Sequence, residues 1–324
     1  MDQTSDYVRE LHTRFEAPAR VVLEAARRAC GREPVGLRRI AHGYENEVYR
    51  VEHGQPPACI VRIRRLGEVG FRDEVWAIEQ YRAAGVPVPA VLLADTISCD
   101  PLQLEVMVQE EARGQPLSDL LPLPAGPGSA QVHVALGAVL ASMHRVEVGG
   151  FGRRQPDGGW AYSAWPAFVA AKAEKIAAAQ GQILRAGFSR ADVDFMMATV
   201  LGLPDQVPCD TPVLCHGDYV PEHVFVTDDL RISSVIDFGQ IHGAPPLADL
   251  IHLSFLQPTV DLESVKGGYS NSMLMHHGFE RQLHLHRLLF LLPCVAHITA
   301  MGDPAADKTP DAVGQLRETL AALR

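Results

Sequence analysis

Between residues 17 and 30 apolar side chains recur at helical spacing. The pattern then changes to alternation and β-branched runs at residues 37–40, 48–53 and 58–63, which predicts a β-rich region behind one helix. Residues 67–84 return to a helical pattern, and Val86-Pro87-Val88-Pro89 stops it. Residues 91–94 and 104–108 are short apolar runs suited to strands, so a small mixed unit ends near Arg113.

After Gly114 the periodicity lengthens. A Pro/Gly-rich loop at 122–129 leads into Val132, Leu136, Val139, Leu140, Met143 and Val146, which lay one apolar stripe on a helix. A glycine-rich loop at 149–159 precedes predicted helices at 163–180, with Ser163 as N-cap, and at 189–201. The helical run breaks once, at 213–238. There strands at 224–226 and 232–236 flank the turn-forming Thr227-Asp228-Asp229. No repeat of 20 to 50 residues is present, which excludes solenoids and propellers. The division expected is residues 1–113 and 114–324.

Composition narrows the function classes. With 47% apolar residues and 324 positions the chain is an ordinary globular protein of about two domains. Its 39 acidic against 29 basic residues leave no excess of cations for phosphate neutralisation, so no nucleic-acid partner is expected. The longest apolar stretch, 288–301, holds Pro293 and His297 and reads as too short and broken for a bilayer, so no membrane partner is expected. The N-terminal residues are polar where a signal peptide needs an apolar run. Six cysteines form no CxxC pair, which predicts free thiols in a reducing, cytoplasmic compartment without structural zinc. His276, His277, His284 and His286 point to different helix faces and complete no metal set.

The chemistry concentrates in the break. His216-Gly217-Asp218 is followed by His223, and the second strand ends in Asp237-Phe238-Gly239. Phosphoryl transfer needs one carboxylate to orient an acceptor hydroxyl and accept its proton. A second carboxylate and a neutral ligand then hold Mg²⁺ against nucleotide phosphates, and a hairpin sets the two groups side by side.

In HGDYVPEH, IDFG and the later Asp249-Leu250 the chain resembles the aminoglycoside phosphotransferases and their relatives. The resemblance implies an α+β, bilobal protein-kinase-like fold with a small β-rich N-lobe and a larger, mainly helical C-lobe. It implies Asp218 as catalytic base with His216 bracing its loop, Asp237 as a magnesium ligand and Asp249 as structural support. His223 stands where most members have asparagine; imidazole is softer than Mg²⁺ prefers, yet macrolide phosphotransferases also place histidine there.

A kinase-like first lobe also needs a turn over the phosphates, a strand cation and a helix acid. Gly43 and Asn46 lie in the segment His42 to Arg50, where a tight turn exposes backbone N–H groups. No lysine precedes Lys172, so the cation must be arginine: Arg62, with Arg64 as rival on the same strand face. Glu74 matches the family's helix glutamate. Residues 109–117 look like its hinge, where adenine would meet backbone groups of Glu110 and Ala112, and this stretch does not separate ATP from GTP. No APE-like anchor follows Gly239, which favours a small-molecule acceptor over a protein.

The expected enzyme therefore moves the γ-phosphoryl of ATP or GTP, with Mg²⁺, to a hydroxyl of a small molecule, as a monomer or weak dimer. The acidic second half, 21 acids against 14 bases, suits a cationic aminoglycoside or a hygromycin-type antibiotic, while His223 leans to a macrolide. Choline, homoserine or a sugar amine, and a non-catalytic nucleotide-binding module, are the competing readings.

Overall fold

The computed structural model describes residues 16–40, 46–64, 70–99, 102–123, 127–256, 259–269, 278–301 and 311–324. The chain divides into two compact units. The first runs to Gln115 and takes back residues 225–227 and 233–239; the second holds 116–224, 228–232 and 240–324.

In the first unit, helix α1 (Ala19–Cys30) precedes strands β1 (Gly36–Ile40), β2 (Asn46–Glu52) and β3 (Cys59–Arg64), helix α2 (Phe71–Ala83), and strands β4 (Val91–Cys99) and β5 (Leu102–Glu110). The strands form an antiparallel sheet in the order β1-β2-β3-β5-β4. Alternation sends Tyr49, Val51, Cys59, Val61, Ile63, Val106 and Val108 to one face, where Val21, Val22, Ala25 and Ala26 of α1 close the core. A buried acid fixes the approach to that helix. Glu47 accepts from the Ala17 N–H at 2.7 Å and the Tyr49 hydroxyl at 2.9 Å and pairs with Arg39, so every oxygen it buries is met. The strand expected at 91–94 continues to Cys99, and the helix expected at 67–84 is described from Phe71.

In the second unit, β6 (Gln115–Pro116), at its border, leads to helix α3 (Pro127–Met143), strands β7 (Phe151–Arg154) and β8 (Trp160–Tyr162), and helices α4 (Trp165–Ala178), α5 (Gln180–Arg185), α6 (Arg190–Leu201) and α7 (Leu203–Gln206). Strand β9 (Val213–Cys215) follows; the hairpin β10 (Val224–Val226) and β11 (Ile232–Val235) returns most of its residues to the first unit, and strand β12 (His242–Ala244) and helices α8 (Leu247–Leu256), α9 (Leu262–Gly268), α10 (Phe279–Met301) and α11 (Ala312–Leu323) complete the second. Strands β8-β7-β12-β9 form one sheet and β11-β10-β6 another.

Several expectations are corrected here. The glycine-rich loop at 149–159 is the β7–β8 hairpin, closed by the Gln155 N–H on the Gly159 carbonyl at 2.8 Å with Gly158 at φ 87°. The helical run is thus interrupted at two places, not one. Ser163 caps nothing; α4 begins at Trp165 behind Ala164, and the side-chain cap is at Ser189, whose hydroxyl accepts from the Asp192 N–H while Asp192 reaches back. Pro293 does not break the apolar stretch, because α10 runs through it for 23 residues. By length and composition its span 279–300 could cross a membrane, and half of that span is buried inside the fold. The side chains of Leu283, Leu288, Leu291, Leu292 and Val295 are among those buried.

Candidate active site

Strand β3 carries the first group. Arg62 lies on the face away from α1, is only 8% exposed, and sits opposite Val48 on β2 and Met107 on β5. Its guanidinium donates to the Glu74 carboxylate in the first turn of α2, lies 3.5 Å from Asp237 Oδ1 and covers the Phe71 ring at 5.6 Å. Two residues on, Arg64 is turned to Glu105 of β5 at 3.1 Å. Partner geometry thus separates two arginines that alternation leaves equivalent. Burial pushes the Glu74 carboxyl above its ordinary range, Arg62 pulls it down and Asp237 pushes it up again.

Asp237 has φ 66°, a left-handed conformation that a non-glycine residue holds only when its neighbours impose it. They do so on both sides. The Val235 N–H donates to Pro87 at 2.7 Å, and the buried Phe238 ring meets Tyr81 with centroids 5.2 Å apart. The carboxylate is left 46% exposed.

The second unit holds the other group. Strand β9 is wholly buried and delivers His216-Gly217-Asp218 to its end. Asp249, fully buried in the first turn of α8, accepts from the His216 and Gly217 N–H groups, each at 2.8 Å, and from His144 Nε2 at 3.0 Å. Burial alone would raise this carboxyl; the His144 hydrogen bond and charge, the His216 charge and the Gly217 N–H outweigh it and hold Asp249 well below the usual range. Gly217, at φ 81°, lies so close to the Gln240 carbonyl that no Cβ fits. The loop is therefore held by its backbone, and the Asp218 side chain stays 36% exposed.

His216 accepts from the Asp218 N–H through Nδ1 at 3.2 Å. His223 closes a short turn, Pro221–His223, and its Nδ1 meets the Asp218 carbonyl oxygen at 2.9 Å. A carbonyl only accepts, so the proton sits on Nδ1 and the neutral ring carries its lone pair on Nε2. That is how metal-bound histidines are commonly oriented, by a backbone carbonyl on the second nitrogen. Taken singly, the part-exposed Asp237 carboxylate and the His223 imidazole are each a donor that a divalent cation accepts, with the oxygen better matched to magnesium than the nitrogen.

The remaining candidates divide. Asn46 opens β2 opposite Arg64, while Gly43 lies outside the described residues. Glu110 ends β5, and its N–H is already committed to the Ala90 carbonyl at 2.9 Å. Ala112 lies just beyond, in the segment without regular structure that follows β5. His144 and Tyr269 escaped the sequence reading. His144 stands four residues after Leu140 and eight after Leu136, the next position of a core stripe, and its Nδ1 meets the Tyr269 hydroxyl at 2.7 Å. A polar residue in an apolar register was the available signal.

A strand cation paired with a helix acid is what a nucleotide lobe of a kinase requires, and the fold class here is kinase-like. The chain belongs to the phosphotransferase enzyme family, whose model matches residues 36–271. The kinship expected with aminoglycoside phosphotransferases therefore holds. No curated protein matches the sequence. Among solved structures, a thermostable mutant of the aminoglycoside phosphotransferase APH(4)-Ia, in a ternary complex with AMP-PNP and hygromycin B, is 19% identical with a TM-score of 0.65 over 93% of this chain and 97% of that one. A protein of Thermobifida fusca YX-ER1, provisionally named a fructosamine-3-kinase, is 22% identical with a TM-score of 0.64 over 95% and 98%. A macrolide 2′-phosphotransferase of Brachybacterium faecium is 21% identical with a TM-score of 0.52 over 94% and 98%. These likenesses establish the fold.

Proposed function

We propose that this phosphotransferase moves the γ-phosphoryl group of ATP or GTP to a hydroxyl of a small molecule, most naturally an antibiotic of aminoglycoside, hygromycin or macrolide type. The observation that carries this reading is the Arg62 guanidinium set between Glu74 and Asp237. Arg62, with Asn46 at the start of β2 and Gly43 three residues earlier in the sequence, would grip the nucleotide phosphates, and the Glu110 carbonyl and Ala112 would face the base. Asp237 and His223 are the proposed magnesium ligands; the ion, when bound, neutralises charge on the transferring phosphates. Asp218 orients the acceptor hydroxyl and takes its proton, with His216 and Asp249 holding its loop. The proposed setting is the cytoplasm, with the enzyme acting as a monomer or weak dimer.

A second acceptor class has its own support. The Thermobifida protein provisionally named a fructosamine-3-kinase matches over as much of the chain as the antibiotic kinases do, which favours including sugar amines. The test is nucleotide consumption with Mg²⁺ against aminoglycosides, hygromycin B, macrolides and fructosamines, with Asp218→Ala as blank. Turnover stimulated by one class and absent from the blank supports the reading. Stimulation that persists in Asp218→Ala, or nucleotide binding without metal-dependent turnover on any acceptor, sinks it in favour of a binding module.

A further inference from the structure

The first unit contains a second cluster of ligating side chains. Cys30 is the last residue of α1, His53 lies in the connection between β2 and β3, and Cys59 is the first residue of β3. Separations of 23 and 6 residues match no metal motif in the sequence, and the fold alone brings them together. One ligand atom from each falls within 4.8 Å of the others. His53 Nε2 faces Cys59 Sγ at 3.5 Å. Zinc bonds of roughly 2.3 Å to sulfur and 2.0–2.1 Å to nitrogen put neighbouring S and N ligands about 3.6 Å apart in a tetrahedron, and two S ligands about 3.8 Å apart. The histidine edge thus already has the required length.

His53 is 8% exposed, and its Nδ1 is buried with no hydrogen-bond partner among the described residues. The ring is therefore not held by a satisfied hydrogen-bond network of its own; it directs its other nitrogen at sulfur. The geometry points to a zinc site built from Cys30, His53 and Cys59, with a fourth position open to water. On binding, each thiol gives its proton to solvent, and the two thiolates and the neutral imidazole cancel the charge of Zn²⁺, so no net charge is buried. Without the ion, burial and then the nearness of Cys30 keep the Cys59 thiol protonated, pushed up to about 12, with Arg32 the opposing influence. Soft sulfur donors select Zn²⁺ over the magnesium proposed for the phosphate site. The ion would staple the end of α1 to the β2–β3 connection, a structural task separate from catalysis.

Cobalt(II) reports the coordination directly. Titration of reduced, metal-free protein with Co²⁺ should give about one equivalent bound, a thiolate-to-cobalt charge-transfer band and the intense visible bands of a tetrahedral centre, all displaced by Zn²⁺. Cys30→Ser, at a half-buried position, and His53→Gln should each weaken binding about tenfold or more, and Cys30→Ser should halve the charge-transfer band. Cys209→Ser, outside the cluster, should change neither. Zn²⁺ should raise the Tm of the native protein and leave that of Cys30→Ser unmoved. Absence of a thiolate band in the native protein overturns the site, as does a band of native intensity in a Cys30→Ser protein whose circular dichroism confirms its fold.

Discussion

Arg62 serves packing and chemistry at once, and two substitutions separate these roles. Removing the guanidinium leaves the Glu74 carboxylate buried without its cation, a loss of about 3–5 kcal/mol for a buried pair broken on one side. Arg62→Ala should therefore lower the urea midpoint and weaken nucleotide binding. Arg62→Met with Glu74→Leu removes both charges, and should restore much of the midpoint while nucleotide affinity stays low. If the double variant binds nucleotide normally, Arg62 is only a strut. Asp218 presents the opposite case, because its side chain is part-exposed and its loop is held through the backbone by Asp249. Asp218→Asn should leave the melting temperature within a degree or two and lower kcat about 10²–10⁴-fold, the usual span for a positioned general base. At this scale the sequence already named Arg62, Glu74, Asp218 and Asp249. It kept Arg64 as a rival to Arg62, because residues two apart on a strand share a face, and the partners that set them apart, Glu74 for one and Glu105 on the neighbouring strand for the other, are supplied by the fold.

Among elements, length governed legibility except in the β10–β11 hairpin, whose strands of three and four residues were marked by the turn-forming Thr227-Asp228-Asp229 between them. Helices α3 and α6 and the long strands of the first sheet show their periodicity over many residues, whereas β7, β8, β9 and β12 have three or four residues each and expose no period to read. The crossing of α3 and α9 was equally hidden. A Cβ on Gly137 would collide with the Val265 carbonyl, and one on Gly268 with the Val134 carbonyl, so the two helices meet backbone to backbone at two points. Nothing in the spacing of single glycines announces this contact; it needs a partner helix to become visible. Gly137→Ala should force the pair apart and cost about 1–3 kcal/mol by overpacking, despite the better helix propensity of alanine, which alone would favour the variant by about 1 kcal/mol. Equilibrium urea unfolding reads the sign: a stabilised Gly137→Ala protein would show that α9 yields at this contact.

For the molecule as a whole, acid sensitivity follows from imidazoles that folding keeps neutral. His286, on α10, is buried and stacked on Trp165 with centroids 5.7 Å apart and planes at 22°. Burial lowers its pKa to about 4 from an ordinary value of 6.5. Between these values the unfolded chain binds a proton that the folded chain refuses, so stability is full above pH 6.5 and falls as pH drops toward 4. At 1.36 kcal/mol per unit, the whole window amounts to about 3 kcal/mol from this one residue. Asp249 also loses stabilisation in acid, but its depressed carboxyl acts below the unfolded value of about 3.9, beneath the window of His286. His242, buried and likewise lowered, adds a slope of the same sign that persists when His286 is replaced. His286→Phe keeps an aromatic ring against Trp165 and removes the titrating group. Its unfolding free energy should therefore decline less than that of the native protein between pH 7.5 and pH 5, by roughly 2 kcal/mol, with the native difference partly retained through His242. Parallel chemical denaturation of the two proteins across that range measures the gap; equal slopes would mean that His286 takes up its proton inside the fold and that α10 opens to accommodate the charge.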